Sequence, residues 1–156
     1  MLSKELQEKL VRIAMEEAEL AIERGDDPFG GCIVDAEGNI VVRGGNREYT
    51  EENPTSHAET VLIREACKKL GVHSLEGYIS ICNAESCPMC ASALLMAGIK
   101  EFYYGTHMED FCNPYLRMSD VAAAAAGDIV IVDGILDEEC TEIVRRGRRI
   151  RAEMAK

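Results

Sequence analysis

Positive charge is scarce in this chain. Lys and Arg number 17 against 28 Asp and Glu, a formal net charge of −11. Such a surface repels phosphate backbones and disfavours binding to nucleic acid or anionic lipid. Long apolar runs are missing too: no stretch approaches the ~20 uncharged residues of a membrane span. Lys4, Glu5, Glu8 and Lys9 leave no apolar core for a secretion signal, so a cytoplasmic, reducing compartment is expected. Repeats are absent, and low complexity is confined to one alanine run. Seven cysteines are present, but an odd count in 156 residues without a signal argues against a disulfide framework. The length predicts one domain, residues 1–156, able to bury its own core.

Apolar periodicity predicts a helix over 3–24, capped by Ser3 and stopped by Gly25. Two strands, 31–34 and 40–43, flank a hairpin turn at Gly38. A helix over 57–70 follows, capped by Thr55 or Ser56. Strand 78–82, helix 87–97, strand 100–104, a short helix 119–126 capped by Ser119, strand 129–132 and helix 137–151 complete the order. The alanines at 122–126 offer a smooth surface for close packing. Alternating elements after a starting hairpin imply an α/β protein, a mixed sheet between helix layers. The glycines of Phe29-Gly30-Gly31 serve either as packing devices or as room for a flat ligand. Arg145, Arg146, Arg148, Arg149 and Arg151 read as a solvated face of the last helix, at the negative end of its dipole.

Two stretches carry chemistry: His57-Ala58-Glu59 and Cys87-Pro88-Met89-Cys90. One imidazole and two thiols match a catalytic zinc site whose fourth position is left to water, and the acid beside them is not a ligand. The helix from residue 57 travels roughly 21 Å, at ~1.5 Å per residue, and strand 78–82 with the residues after it returns about as far. Both helices therefore start at one end of the sheet, where a helix N-terminus favours thiolates. Zinc deaminases carry this same pattern, His-x-Glu followed by Cys-x-x-Cys. The competing readings are a thiol–disulfide redox motif at Cys87 and Cys90, or a closed structural zinc with Cys82 or Cys112 as fourth ligand. His73 and His107 read as surface or packing residues, and Cys32, Cys67, Cys82 and Cys140 as small buried hydrophobes.

Over roughly residues 5–145 the chain resembles the cytidine deaminase superfamily, in the branch of guanine deaminases, tRNA adenosine deaminases and fungal-type cytosine deaminases. The resemblance lies in Pro28-Phe29-Gly30, Asn46, Asn53 to Glu59 and Ile63 to Cys67. Pro28-Phe29-Gly30 with Cys67 to Gly71 looks more like guanine deaminases, and Gly134 to Cys140 more like tRNA adenosine deaminases. The resemblance implies a three-layer α/β/α sandwich with a five-stranded mixed sheet, a homodimer, and one zinc ion per chain held by His57, Cys87 and Cys90. It implies Glu59 as proton shuttle, Asn46 as a hydrogen-bonding partner of the base, backbone at Ala58 and Cys87 lining the pocket, and Phe29 as a wall. Ser86 stands where the family usually has proline, so its contacts with substrate differ from the family's. In residues 105–118, Glu109 and Asp110 offer acceptors for a guanine edge, or are solvated acids.

The expected function is hydrolytic deamination of a small amino-heterocycle, with guanine leading, cytosine or another amino-azine as alternatives, and tRNA adenosine less favoured on charge. Metal analysis separates this from a redox module: we expect about one zinc per chain and no dependence of metal content on redox state. Zinc-free, reversibly oxidised protein would favour the redox reading.

Overall fold

The computed structural model describes residues 1–108 and 116–156. Helix α1 (Lys4–Arg24) begins where the Ser3 hydroxyl accepts the Leu6 N–H at 3.3 Å, and ends at Gly25, whose φ of 90° suits a residue without Cβ. Its stripe of Leu10, Val11, Ala14, Ala18 and Ala21 faces the sheet. Strands β1 (Gly30–Val34) and β2 (Ile40–Gly45) form the hairpin. Its turn is held by the Asp35 carboxylate, which accepts the N–H groups of Glu37 and Asn39, with Gly38 at φ 87°.

Then follow α2 (Ala58–Leu70), β3 (Ile79–Ala84), α3 (Pro88–Met96), β4 (Glu101–Thr106), α4 (Met118–Ala124), β5 (Val130–Val132) and α5 (Asp137–Met154). The five strands form one sheet in the order β2-β1-β3-β4-β5. β1 is antiparallel to both β2 and β3, while β3, β4 and β5 are parallel. α1 and α5 cover one face, and α2, α3 and α4 the other. Side chains alternate accordingly: Ile79, Ile81 and Tyr103 join the α1 side with Leu10 and Val11, whereas Ile33, Cys82, Phe102 and Tyr104 join Leu62 and Leu94. The expected three-layer architecture is the one observed. No described helix is long and apolar enough to cross a membrane.

This topology gathers four strand ends at one edge. Gly30 pairs with Gly45, Gly31 with Cys82, and Ala84 with Thr106. The start of β1 and the ends of β2, β3 and β4 therefore lie side by side. In open α/β sheets such an edge, outside the carboxyl ends of the strands, is where ligands bind.

Three expectations need correction. Neither Thr55 nor Ser56 caps α2. The Thr55 hydroxyl donates to Asn53 Oδ1 and the Ser56 hydroxyl to Glu51, so the cap position falls on His57. Ser119 lies inside α4 rather than before it: Arg117 takes the cap position, its N–H donating to Asp120 Oδ2 at 2.8 Å, and the helix stops at Ala124. The alanine run packs against little, since Ala123, Ala124 and Ala126 are exposed and α4 meets the core through Met118 and Val121. Glu109, Asp110 and Cys112, weighed above, lie outside the described residues.

The glycines after Phe29 are packing devices. A Cβ on Gly30 would lie 2.4 Å from the Ala18 nitrogen and 2.5 Å from the Ala14 oxygen, so α1 rests backbone to backbone on β1. A Cβ on Gly31 would lie 2.4 Å from the Ile81 oxygen. Gly30→Ala should cost about 3 kcal/mol of unfolding free energy, because backbone has to move. Gly77→Ala, where a φ of 86° strains the residue but nothing lies within 4 Å, should cost about 1 kcal/mol. Urea denaturation of the two variants checks the difference, and equal losses would show that the contact at Gly30 is slack.

Candidate active site

His57 and Cys87 occupy equivalent places. Each is the residue before its helix, α2 or α3, in extended backbone at φ −67°, ψ 160° and φ −68°, ψ 165°. Neither side chain caps its helix, so both are directed elsewhere. Pro88 at the first position of α3 loses no helical hydrogen bond and fixes the entry of the chain. Cys90 follows one turn later and is fully buried.

The structure brings these side chains together: the ligand atoms of His57, Cys87 and Cys90 all lie within 4.8 Å of one another, with Cys87 Sγ 3.5 Å from His57 Nδ1. Among the described residues they form the one His, Cys, Asp and Glu group spaced for a metal. Cys82 is not part of it. Its thiol is buried beside the Ser80 hydroxyl and pushed well above its ordinary pKa. Cys32, Cys67, Cys82, Cys87, Cys90 and Cys140 are all free thiols. Two thiols and an imidazole, three ligands with no fourth protein donor among the described residues, fit zinc in a catalytic rather than a closed structural set.

Electrostatics divides the two thiols. The Cys90 side chain donates to Cys87, and together with His57 it pulls Cys87 down to about 4 against the opposing effect of burial. Cys90, as the donor and itself buried, is raised far above a normal thiol. His57 is raised to about 9, first by its hydrogen bond to Cys87 and further by Glu59 and Glu48, with burial opposing.

Glu59 is the second residue of α2 and only 7% exposed. Burial raises its pKa and the charge of Cys87 adds to this, while its own backbone N–H and the Ser86 hydroxyl hold it back. Ser86, buried in the turn between β3 and α3, thus gives this carboxyl a donor that proline would lack. A buried carboxyl with a raised pKa, beside a metal set to which it does not belong, is equipped to carry a proton.

The remaining expected residues lie at the same edge of the sheet. Ala58, 1% exposed, begins α2 between His57 and Glu59. Asn46 follows the end of β2 and is fully buried. Its N–H donates to the Phe29 carbonyl, its Oδ1 accepts the Glu48 N–H at 3.0 Å, and its Nδ2 donates to Glu48 Oε1 at 2.8 Å. Phe29 packs against Ala84, Met108 and Val144. Residues not singled out in the sequence support them. Asn83, fully buried, accepts the Gly30 N–H at 2.9 Å and donates to the Pro28 carbonyl at 3.0 Å, fastening the Phe29 loop to β3. Glu85 accepts from the Met108 N–H at 3.1 Å and pairs with Arg117. Asp27 near Glu48 is raised mainly by burial and pulled back by Arg151 and Arg148. The arginine row is less uniformly solvated than expected: Arg151 stacks 3.4 Å above the Tyr49 ring and Arg146 pairs with Glu19, while Arg145 and Arg149 are exposed. His107 is half exposed and pairs with Asp133 at 3.0 Å.

Comparison with known proteins agrees with this geometry. The model of the cytidine and deoxycytidylate deaminase zinc-binding region matches residues 4–106. A tRNA-specific adenosine deaminase of Bacillus subtilis (strain 168) is 34% identical over 134 residues, 85% of this chain and 83% of that protein. A guanine deaminase of the same organism is 41% identical over 83 residues, 53% of each chain. A solved tRNA:A34 deaminase, studied for A-to-I editing at the wobble position of transfer RNA, is similar with a TM-score of 0.78 at 30% identity, over 86% of this chain and 98% of that one.

Metal uptake should release protons with a definite count. At pH 7 Cys87, at about 4, is already a thiolate, whereas Cys90 keeps its proton and His57, at about 9, is an imidazolium. Zinc added to chelator-stripped protein at pH 7 should therefore displace about two protons per site. The number should fall towards one as the pH rises past 9 and His57 loses its proton beforehand. Calorimetry in buffers of different ionisation enthalpy measures this, and no release at pH 7 would contradict the assigned protonation states.

Proposed function

The chain belongs to the cytidine and deoxycytidylate deaminase zinc-binding family, and within that family we propose that it deaminates a free amino-bearing base, with guanine the leading substrate. The observation that carries the reaction is the buried Glu59 beside the convergent His57, Cys87 and Cys90. In this reading those three side chains hold zinc, which when bound supplies Lewis acidity and a water poised for attack. Glu59 would take one proton from the attacking water to a ring nitrogen, then carry the second from the newly formed hydroxyl to the departing amine, so that the carbonyl forms as ammonia leaves. The Ser86 hydroxyl orients the Glu59 carboxyl. Asn46 gives one amide proton to Glu48 and keeps the second for an acceptor on the base. The backbone at Ala58 and Cys87, with Ser86 beside it, lines the pocket and the Phe29 ring closes one wall.

Charge supports a small substrate. Glu48 lies 3.1 Å from His57 and Asp27 lies near both, on a chain with a net charge of −11. Carboxylates at the mouth of a site favour a neutral, N–H-bearing base over one that carries phosphate. A second reading, tRNA adenosine deamination, draws on the Bacillus subtilis relative and on a cavity of about 740 Å³ at the same edge of the sheet, lined by His107, Arg145, Arg148 and Arg149.

Ammonia release measured on guanine, guanosine, adenine, cytosine and cytidine, with inosine formation in tRNA alongside, decides between them. We expect turnover of guanine, and none by Glu59→Ala although its zinc content is unchanged. Silence across the small molecules with zinc bound would sink the free-base reading. Inosine in tRNA, formed at a rate falling steeply with salt, would establish the second. Turnover surviving in Glu59→Ala would remove the proton carrier from the mechanism.

A further inference from the structure

His57 is held from behind as well as in front. Its Nδ1 faces Cys87, and its Nε2 lies 3.1 Å from Glu48 Oε1. An imidazole that binds a metal through one nitrogen carries its proton on the other, and the partner of that proton fixes both tautomer and ring orientation. Here the partner has fixed supports of its own. The oxygen of Glu48 that faces His57 also accepts Asn46 Nδ2–H at 2.8 Å, and the Glu48 N–H returns to Asn46 Oδ1 at 3.0 Å. Asn46 is fully buried, and its backbone is tied to the Phe29 carbonyl and to Arg24, the last residue of α1. The side chains of Glu48 and His57 are 21% and 29% exposed, so the pair is largely removed from solvent. A loop carboxylate restrained at this many points is not a surface acid that has drifted to a nearby histidine.

We propose that Glu48 is a positioning residue for the metal centre, accepting the His57 Nε2–H and so presenting Nδ1 to the ion that Cys87 and Cys90 share. The proposal rests on the zinc reading of the site and goes beyond it, because Glu48 lies outside the metal-ligand set. It gives the 46–48 turn a task separate from base binding. It also accounts for His57 as a cap residue whose side chain does not cap its helix: among the described residues the ring is held by Cys87 on one side and Glu48 on the other.

Competition with a chromogenic chelator measures zinc affinity, and proton–nitrogen NMR of the zinc-loaded protein observes the imidazole directly. Glu48→Ala should weaken zinc binding about 10- to 100-fold. Glu48→Gln keeps an oxygen for both donors and should recover most of that loss. In the unsubstituted protein the His57 Nε2 proton should exchange slowly with water. It should persist in Glu48→Gln and vanish into solvent exchange in Glu48→Ala. A fast-exchanging Nε2 proton in the unsubstituted protein, or zinc affinity unchanged in Glu48→Ala, would overturn the role of Glu48 while leaving the zinc reading intact. An unsubstituted protein that binds no zinc would overturn both.

Discussion

The structure depends on one constraint, that two helices begin at the same edge of the sheet, close enough for side chains at their starts to bring ligand atoms within 4.8 Å of one another. His57 and Cys87 share nearly the same backbone angles, so each turns its side chain sideways out of its helix axis, towards the other. That arrangement follows from strand register. β1 lies antiparallel between β2 and β3, so the chain leaves β2 and β3 at the same edge and enters α2 and α3 there. The free N–H groups and dipoles of both helix starts then act on one small volume. There a thiolate is stabilised, and a neighbouring buried carboxyl is not held in its charged form.

The frame behind that edge is stiff for a different reason. α1 approaches the sheet closely because Ala14 and Ala18 face Gly30, and a side chain at Gly30 would collide with helix backbone. The Phe29 loop begins from this fixed contact and is tied on its other side by Asn83. Asn46 then bonds to the Phe29 carbonyl. Position is thus handed from a helix–sheet contact to a loop through small residues, backbone hydrogen bonds and the buried side-chain amides of Asn83 and Asn46.

Much of this was legible in the sequence, and the reasons are physical. The order of elements, the mixed sheet and the meeting of residues 57–59 with 87–90 follow from periodicity and from the matched lengths of helix and returning strand. Caps were harder to place. Ser56 and Thr55 have the right chemistry for a helix start, but local partners, Glu51 and Asn53, engage their hydroxyls first. Ser119 failed likewise, because the Asp120 carboxylate accepts the Arg117 N–H and sets the start of α4. The alanine run misled because alanine suits both a tight contact and an exposed helix, and periodicity cannot separate them. Glu48 and Asn83 gave no signal at all: a polar residue in or beside a loop reads as solvated until the fold shows what it faces. Ser86 did give one, as a departure from the expected proline, and the structure supplies its partner in Glu59.

Glu85 touches both sides of the segment it does not itself belong to. It accepts the N–H of Met108 before residues 109–115 and holds the guanidinium of Arg117 after them. The two ends of that stretch are therefore pinned to Glu85, just past the end of β3 and next to Ser86. Closing a longer or shorter connection between fixed ends changes the free energy only slowly with length. A connection between ends fixed in this way can change in length or composition while the metal ligands and their supports stay where they are.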